Sequence, residues 1–181
     1  MPAYAVMSEP HPAPYDPQRW RRERWDEPGT LYFWSGREGK FEAFSNFAPT
    51  AFSMVSWRDP ARTLAYPTGE HAFQAAKAAT EVELERIRRA PTPLAAKRAG
   101  RRVALPGDWD RRRVHVMLAV VRAKFADGEL RELLLSTGDQ LLAEDSPYDA
   151  LWGCRDRGGG YTGANLLGRA LMRVRDELRA A

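Results

Sequence analysis

Cysteine is nearly absent: Cys154 is the single one in 181 residues. No intrachain disulfide can form, and an oxidising compartment is not implied. Histidine is scarce as well. His11, His71 and His115 are scattered without ligand spacing, so no metal site is expected. No apolar run approaches the ~18 residues of a membrane helix. The N-terminus is broken by Pro2, Pro10, Pro12 and Pro14 and lacks the basic-then-apolar run of a secretory signal. No membrane partner is expected, and the cytoplasm is the expected location. There is no G-x-S-x-G nucleophile elbow. Gly158-Gly159-Gly160 could let backbone approach a phosphate, but it matches neither the Walker nor the dinucleotide fingerprint.

Lysine is also rare. Lys40, Lys77, Lys97 and Lys124 are the only four among 28 basic residues; all the others are arginine. A chain that uses arginine for nearly all its positive charge makes each lysine more informative. Arginine does not lose its proton near neutral pH, whereas a lysine amine can when its surroundings lower its pKa.

What is present suits a globular protein. Hydrophobic residues make up 44% and charged residues 29%, and six Trp, six Tyr and seven Phe supply large apolar surfaces. The net charge of +4 fits either attraction to phosphate-bearing ligands and nucleic acid or an arginine-rich surface with no special partner. Residues 1–29 hold six of the 13 prolines, with Trp20 and Trp25 among Arg19, Arg21, Arg22 and Arg24. They read as a partly disordered extension that binds nucleic acid or packs its two Trp onto the rest. Residues 30–181 read as one domain.

Strands are expected at 31–34, 52–55 and 63–66, assembled as a small antiparallel sheet, with turn chemistry at Asp59-Pro60. Helices are expected at 70–79, capped by Thr68, at 81–89, 94–102, from Asp108 through Phe125, at 128–135 and at 166–178. Val114, Leu118, Val121 and Phe125 recur on one face of the fourth. The fold class is α+β, predominantly helical.

Two constellations could carry chemistry. Glu70, Gln74 and Lys77 are spaced i, i+4, i+7 and share one helix face. Such a stripe is ordinarily solvated; the rarity of lysine argues for more. Glu70 also falls in the first turn, where backbone N–H groups favour a carboxylate. The second runs from Ser146 to Gly153. Asp149 and Trp152 stand three apart, a carboxylate beside an aromatic plate, which suits a planar base, while a core Trp with Asp149 capping a turn fits equally well. Cys154 beside Arg155 has no Cys/His constellation to activate it.

Eight segments occur in an order that resembles the NADAR family, also called YbiA-like. They are Phe44–Pro49, Tyr66–Lys77, Ala96–Arg101, Asp108–Asp110, Arg122–Phe125, Leu133–Gly138, Ser146–Gly153 and Asn165–Gly168. The resemblance covers the chain from about Leu31 to Leu178. It implies a compact helical fold with a small sheet and an N-glycoside hydrolase without a cofactor. The implied substrates are phosphoribosylamino-pyrimidine intermediates of riboflavin synthesis or ADP-ribosylated guanine, carried on DNA or as a nucleotide. Lys77, Glu70 and Asp149 are the implied catalytic residues. Trp152, Asn46, Phe47, Gln74, Trp109, Gly153 and Asn165 are implied in substrate binding, with Arg37, Lys97 and Arg101 as candidates for phosphate or ribose. Lys77 would attack the anomeric carbon and form a Schiff base. Gly69 departs from the family pattern, where a larger residue is usual, as does Cys154-Arg155. A non-catalytic binder of ADP-ribose or modified nucleic acid is the alternative.

Overall fold

The computed structural model describes residues 23–36 and 39–181. In chain order the elements are β1 (Glu23–Arg24), β2 (Leu31–Phe33), a 3-10 turn (Lys40–Phe44), β3 (Phe52–Val55), β4 (Thr63–Tyr66), α1 (Gly69–Ala75), α2 (Glu81–Arg88), α3 (Pro93–Gly100), α4 (Trp109–Lys124), α5 (Gly128–Leu135), β5 (Leu142–Glu144), β6 (Arg155–Asp156), β7 (Tyr161–Gly163) and α6 (Leu166–Ala180). The fold is α+β and mainly helical, as expected. The described residues fall into two compact units, one of residues 46–124 and one of residues 23–45 with 125–181.

The first unit opens with the β3–β4 hairpin, antiparallel in the register Phe52↔Tyr66 to Val55↔Thr63. Asp59 stabilises the connecting turn by accepting from the Ala61 N–H at 3.0 Å. Three short helices follow, each begun by a threonine. Thr68, Thr80 and Thr92 accept from the backbone N–H three residues on, and Thr80 completes a capping box with Glu83. Each such cap contributes roughly 1 kcal/mol, which is what lets helices of two turns persist. Pro93 does not merely end α2; it occupies the first turn of α3, where its missing N–H is harmless. In α4 the expected stripe is buried at Val114, Leu118 and Val121. Phe125 falls just past that helix and packs edge-on against Phe44 in the second unit, with ring centroids 5.7 Å apart.

α1 ends at Ala75, four residues before the expected Ala79. Beyond it the chain tightens into i→i+3 bonds, Lys77 N–H to Gln74 O and Ala78 N–H to Ala75 O, both 3.1 Å. The cause is the start of α2: Ala79 and Thr80 donate their N–H groups to Glu83 Oε2 at 2.9 and 3.1 Å, which draws them out of α1.

In the second unit the expected three-stranded antiparallel assembly does not form. β2 pairs instead with β5, in parallel, from Leu31↔Leu142 to Phe33↔Glu144. A further small sheet runs β1-β7-β6, antiparallel throughout. The Gly-rich stretch is the turn of the β6–β7 hairpin, with Gly158 and Gly160 at φ 78° and 106°, and Asp156 accepts from the Gly158 N–H at 2.8 Å. These glycines serve the turn rather than a phosphate cradle. Trp25 is buried, with its indole N–H on Gly163 O at 2.9 Å and the Arg169 guanidinium 4.8 Å above its ring. This half of the expected Trp packing is present; Trp20 and Arg37 lie outside the described residues. No helix of the described residues is long and apolar enough to cross a membrane.

Candidate active site

All seven residues of α1 are buried, including Glu70, His71 and Gln74, and Lys77 just beyond is 9% exposed. The polar stripe is therefore not the solvated face that its charges would suggest. Burying such groups costs several kcal/mol unless each finds a partner. Their hydrogen bonds run in series: Gln74 Nε2 donates to Glu70 Oε1 at 2.8 Å, and Lys77 Nζ donates to Gln74 Oε1 at 2.7 Å. The amide orientation is forced, because a carboxylate only accepts and an ammonium only donates.

Lys77 Nζ also stands 5.7 Å from the Phe73 ring centroid and 5.3 Å from that of Trp109. Burial pushes its pKa below the ordinary lysine value. The Glu70 charge opposes that shift, and the Arg101 and Lys97 charges add to it. A lysine held this way gives up its proton more readily than a solvated one, and the neutral amine is the state a nucleophile requires. Lys97 is half-buried over the Phe47 ring at 5.4 Å, and Arg101 is exposed.

Asn46 and Gly69 fix the start of α1. Glu70 N–H donates to Asn46 O at 2.9 Å, and Asn46 Nδ2 meets Met117 Sδ at 3.1 Å. A Cβ at Gly69 would stand 2.5 Å from Asn46 Oδ1, so this departure from the family pattern lets Asn46 lie against the helix. His71 turns away from the stripe. Its Nε2–H donates to Ala90 O at 3.0 Å, and its Nδ1 meets the Thr68 hydroxyl at 2.8 Å, where a neutral ring can accept. Burial accordingly lowers its pKa from 6.5. The folded state therefore binds fewer protons than the unfolded chain between the lowered value and 6.5, and stability is lost as pH falls through that window. Urea midpoints measured from pH 7.5 to 5 should fall in the native protein and fall less steeply in His71→Gln.

In the second unit, Asp149 shapes the loop at Ser146–Gly153. Its Oδ1 accepts from the N–H groups of Leu151 at 2.8 Å and Trp152 at 3.0 Å, while its own N–H donates to Ser146 Oγ at 3.1 Å. The segment is a turn, not a helix, and Asp149 caps it; Trp152 is half-buried. Gly153 is buried against backbone, where a Cβ would meet Glu144 O at 2.6 Å. Asn165, expected to contact substrate, is fully buried in the left-handed conformation at φ 49°, ψ 44°. Its Oδ1 accepts from Glu144 N–H at 3.1 Å and its Nδ2 donates to Leu142 O at 2.8 Å. Both ends of this amide thus hold β5 to the start of α6. Cys154 is buried, its thiol on Glu144 O at 3.3 Å and its pKa pushed up to about 12, which leaves it unreactive.

Two features went unread in the sequence. Gly100 packs directly on Gln74, inside a segment noted only for its basic residues. Lys124 is a second buried lysine, its pKa lowered to about 7 by desolvation. The scarcity of lysine pointed equally at it.

A model of the NADAR domain matches residues 32–179. The chain belongs to the NADAR family. Among NADAR relatives, the N-glycosidase Npun_R5314 of Nostoc punctiforme is 36% identical over 156 residues, covering 83% of this chain and 93% of that protein. The N-glycosidase YbiA of Escherichia coli is 40% identical over 138 residues, covering 75% and 80%. The NMR structure of E. coli YbiA superposes with a TM-score of 0.69 at 36% identity, over 87% of this chain and 92% of that one. A riboflavin biosynthesis protein of Vibrio vulnificus is 42% identical over 152 residues that make up 82% of this chain and 38% of that longer protein.

Proposed function

We propose that this NADAR protein hydrolyses the bond between ribose and a base nitrogen, with Lys77 as the nucleophile. The observation that carries the reading is a buried amine met by a neutral amide oxygen rather than a carboxylate. The N-glycosidase names of its relatives support the reaction class.

In the proposed sequence the neutral Lys77 amine attacks the anomeric carbon and the base departs with its bonding electron pair, taking up a proton. Ring opening leaves ribose joined to Lys77 as a Schiff base. Water then adds to the imine carbon, and collapse releases the free sugar aldehyde and the amine. The Glu70 charge, one amide away, stabilises the positive charge that builds on the sugar and on the imine nitrogen. Lys97 and Arg101 supply cations for a phosphate, a group shared by phosphoribosyl and ADP-ribosyl substrates. The riboflavin biosynthesis name of the Vibrio relative favours a phosphoribosylamino-pyrimidine as substrate. ADP-ribosylated guanine is the second candidate.

The test incubates the chain with each substrate under borohydride, followed by peptide mass spectrometry and assay of released sugar. Sugar release from one substrate and a reduced ribosyl adduct on Lys77 are expected. Binding without release from either substrate would identify a non-catalytic binder instead.

A further inference from the structure

Gln74, for which the resemblance implies a place in substrate binding, is the part of the stripe without a reactive group, and its surroundings are tightly constrained. Its two ends stand between a carboxylate and an amine of opposite charge, two turns apart on one helical segment. Gly100, in the last turn of α3, covers it: a methyl group there would overlap Gln74 Oε1 and stand 2.9 Å from Gln74 Cβ. The close α1–α3 packing thus depends on glycine at 100 and holds the amide in one place. We propose that Gln74 is a positioning residue that keeps the Lys77 amine apart from Glu70, holding it through a neutral oxygen in a slot that exists only because residue 100 has no side chain. The inference rests on the Schiff-base reading for its catalytic meaning, but its physical content can be measured without substrate.

The electrostatic logic is simple. A lysine paired directly with a carboxylate keeps its proton, because the pair favours the charged form. An amide oxygen accepts from the amine in either protonation state and adds no net charge. Among the described residues, the charges that act on the amine are then Glu70 from its own segment, Lys97 from α3 and Arg101 just past the end of α3. α4 faces it with the Trp109 ring, and neither α2 nor β4 contributes a charge that acts on it. With Glu70 held one amide away, burial together with the Lys97 and Arg101 charges outweighs it, and the amine loses its proton more readily.

The experiment follows the titration of lysine ε-carbons by NMR in the full chain, where four lysines keep the spectrum assignable. Gln74→Glu should move the Lys77 midpoint alkaline by about one unit, a tenfold change in protonation. The acidic limb of kcat/KM should move with it, while KM stays within about twofold, as expected when only the reactive form is depleted. Gly100→Ala adds no charge but displaces the amide and lets the amine close on Glu70, so a smaller shift in the same direction is expected. An unmoved Lys77 midpoint in the folded variants, or lost activity with an unchanged pH profile, overturns the proposal. If Gln74→Glu does not fold, Gly100→Ala alone decides. Failure to trap Lys77 in the native protein would overturn the Schiff-base reading, whatever the titration shows.

Discussion

Lys77→Ala should abolish turnover while leaving the fold intact. Loss of a nucleophile that forms the covalent intermediate lowers kcat/KM by roughly 10⁴-fold or more, because no neighbouring group replaces the bond it makes. Lys77→Arg should fail equally, since a guanidinium keeps its proton at any pH where the protein is folded. Substrate binding should survive in Lys77→Met, which fills most of the same volume, so the loss should appear in kcat rather than in the affinity measured by titration calorimetry. In the native protein, kcat/KM should rise with pH toward the lowered pKa of the amine and then level, because only the deprotonated amine attacks and burial brings its pKa below the ordinary lysine value. A Lys77→Ala enzyme that keeps more than about a tenth of native kcat would remove Lys77 from the chemistry.

The second large effect is on stability. Asn165→Ala should cost about 3–5 kcal/mol. It strips partners from two backbone groups, the part-buried Glu144 N–H and the buried Leu142 O, at roughly 1–3 kcal/mol each. It also leaves an alanine at φ 49°, a further cost of about 1 kcal/mol. The melting temperature should fall by roughly 10 °C. Asn165→Gly isolates the hydrogen-bond part, because glycine takes the left-handed conformation freely, and should recover about 1 kcal/mol of the loss. Gly168 belongs to the same joint: a Cβ there would overlap Leu142 O and reach Asn165 Oδ1 at 2.5 Å. The segment from Asn165 to Gly168, one of those that carry the family resemblance, thus builds the fold. A drop of less than about 1 kcal/mol in Asn165→Ala, measured by urea unfolding, would return that side chain to the list of ligand contacts.

Much of this protein was legible before any coordinates. Thr68, read as a cap from the sequence, holds the start of α1 through a bond three residues long; Thr80 and Thr92, not read there as caps, act in the same local way. The apolar period of α4 and the β3–β4 hairpin are equally local. The family followed from eight short segments in order, and the scarcity of lysine drew attention to four residues, of which the resemblance picked out Lys77. What neighbours in sequence decide, sequence showed.

The rest depended on residues far apart in the chain. β2 found β5 across more than a hundred residues, and no local pattern announces a parallel partner. α1 stopped early because α2 claimed its last residues. Asn165 became a joint because β5 arrived beside it. Above all, Glu70, Gln74 and Lys77 read the same in sequence whether solvated or buried. Only the packing of other elements over α1 turned a polar stripe into a buried chain of hydrogen bonds, because burial, and with it the state of the Lys77 amine, depends on what covers a group rather than on its neighbours in sequence.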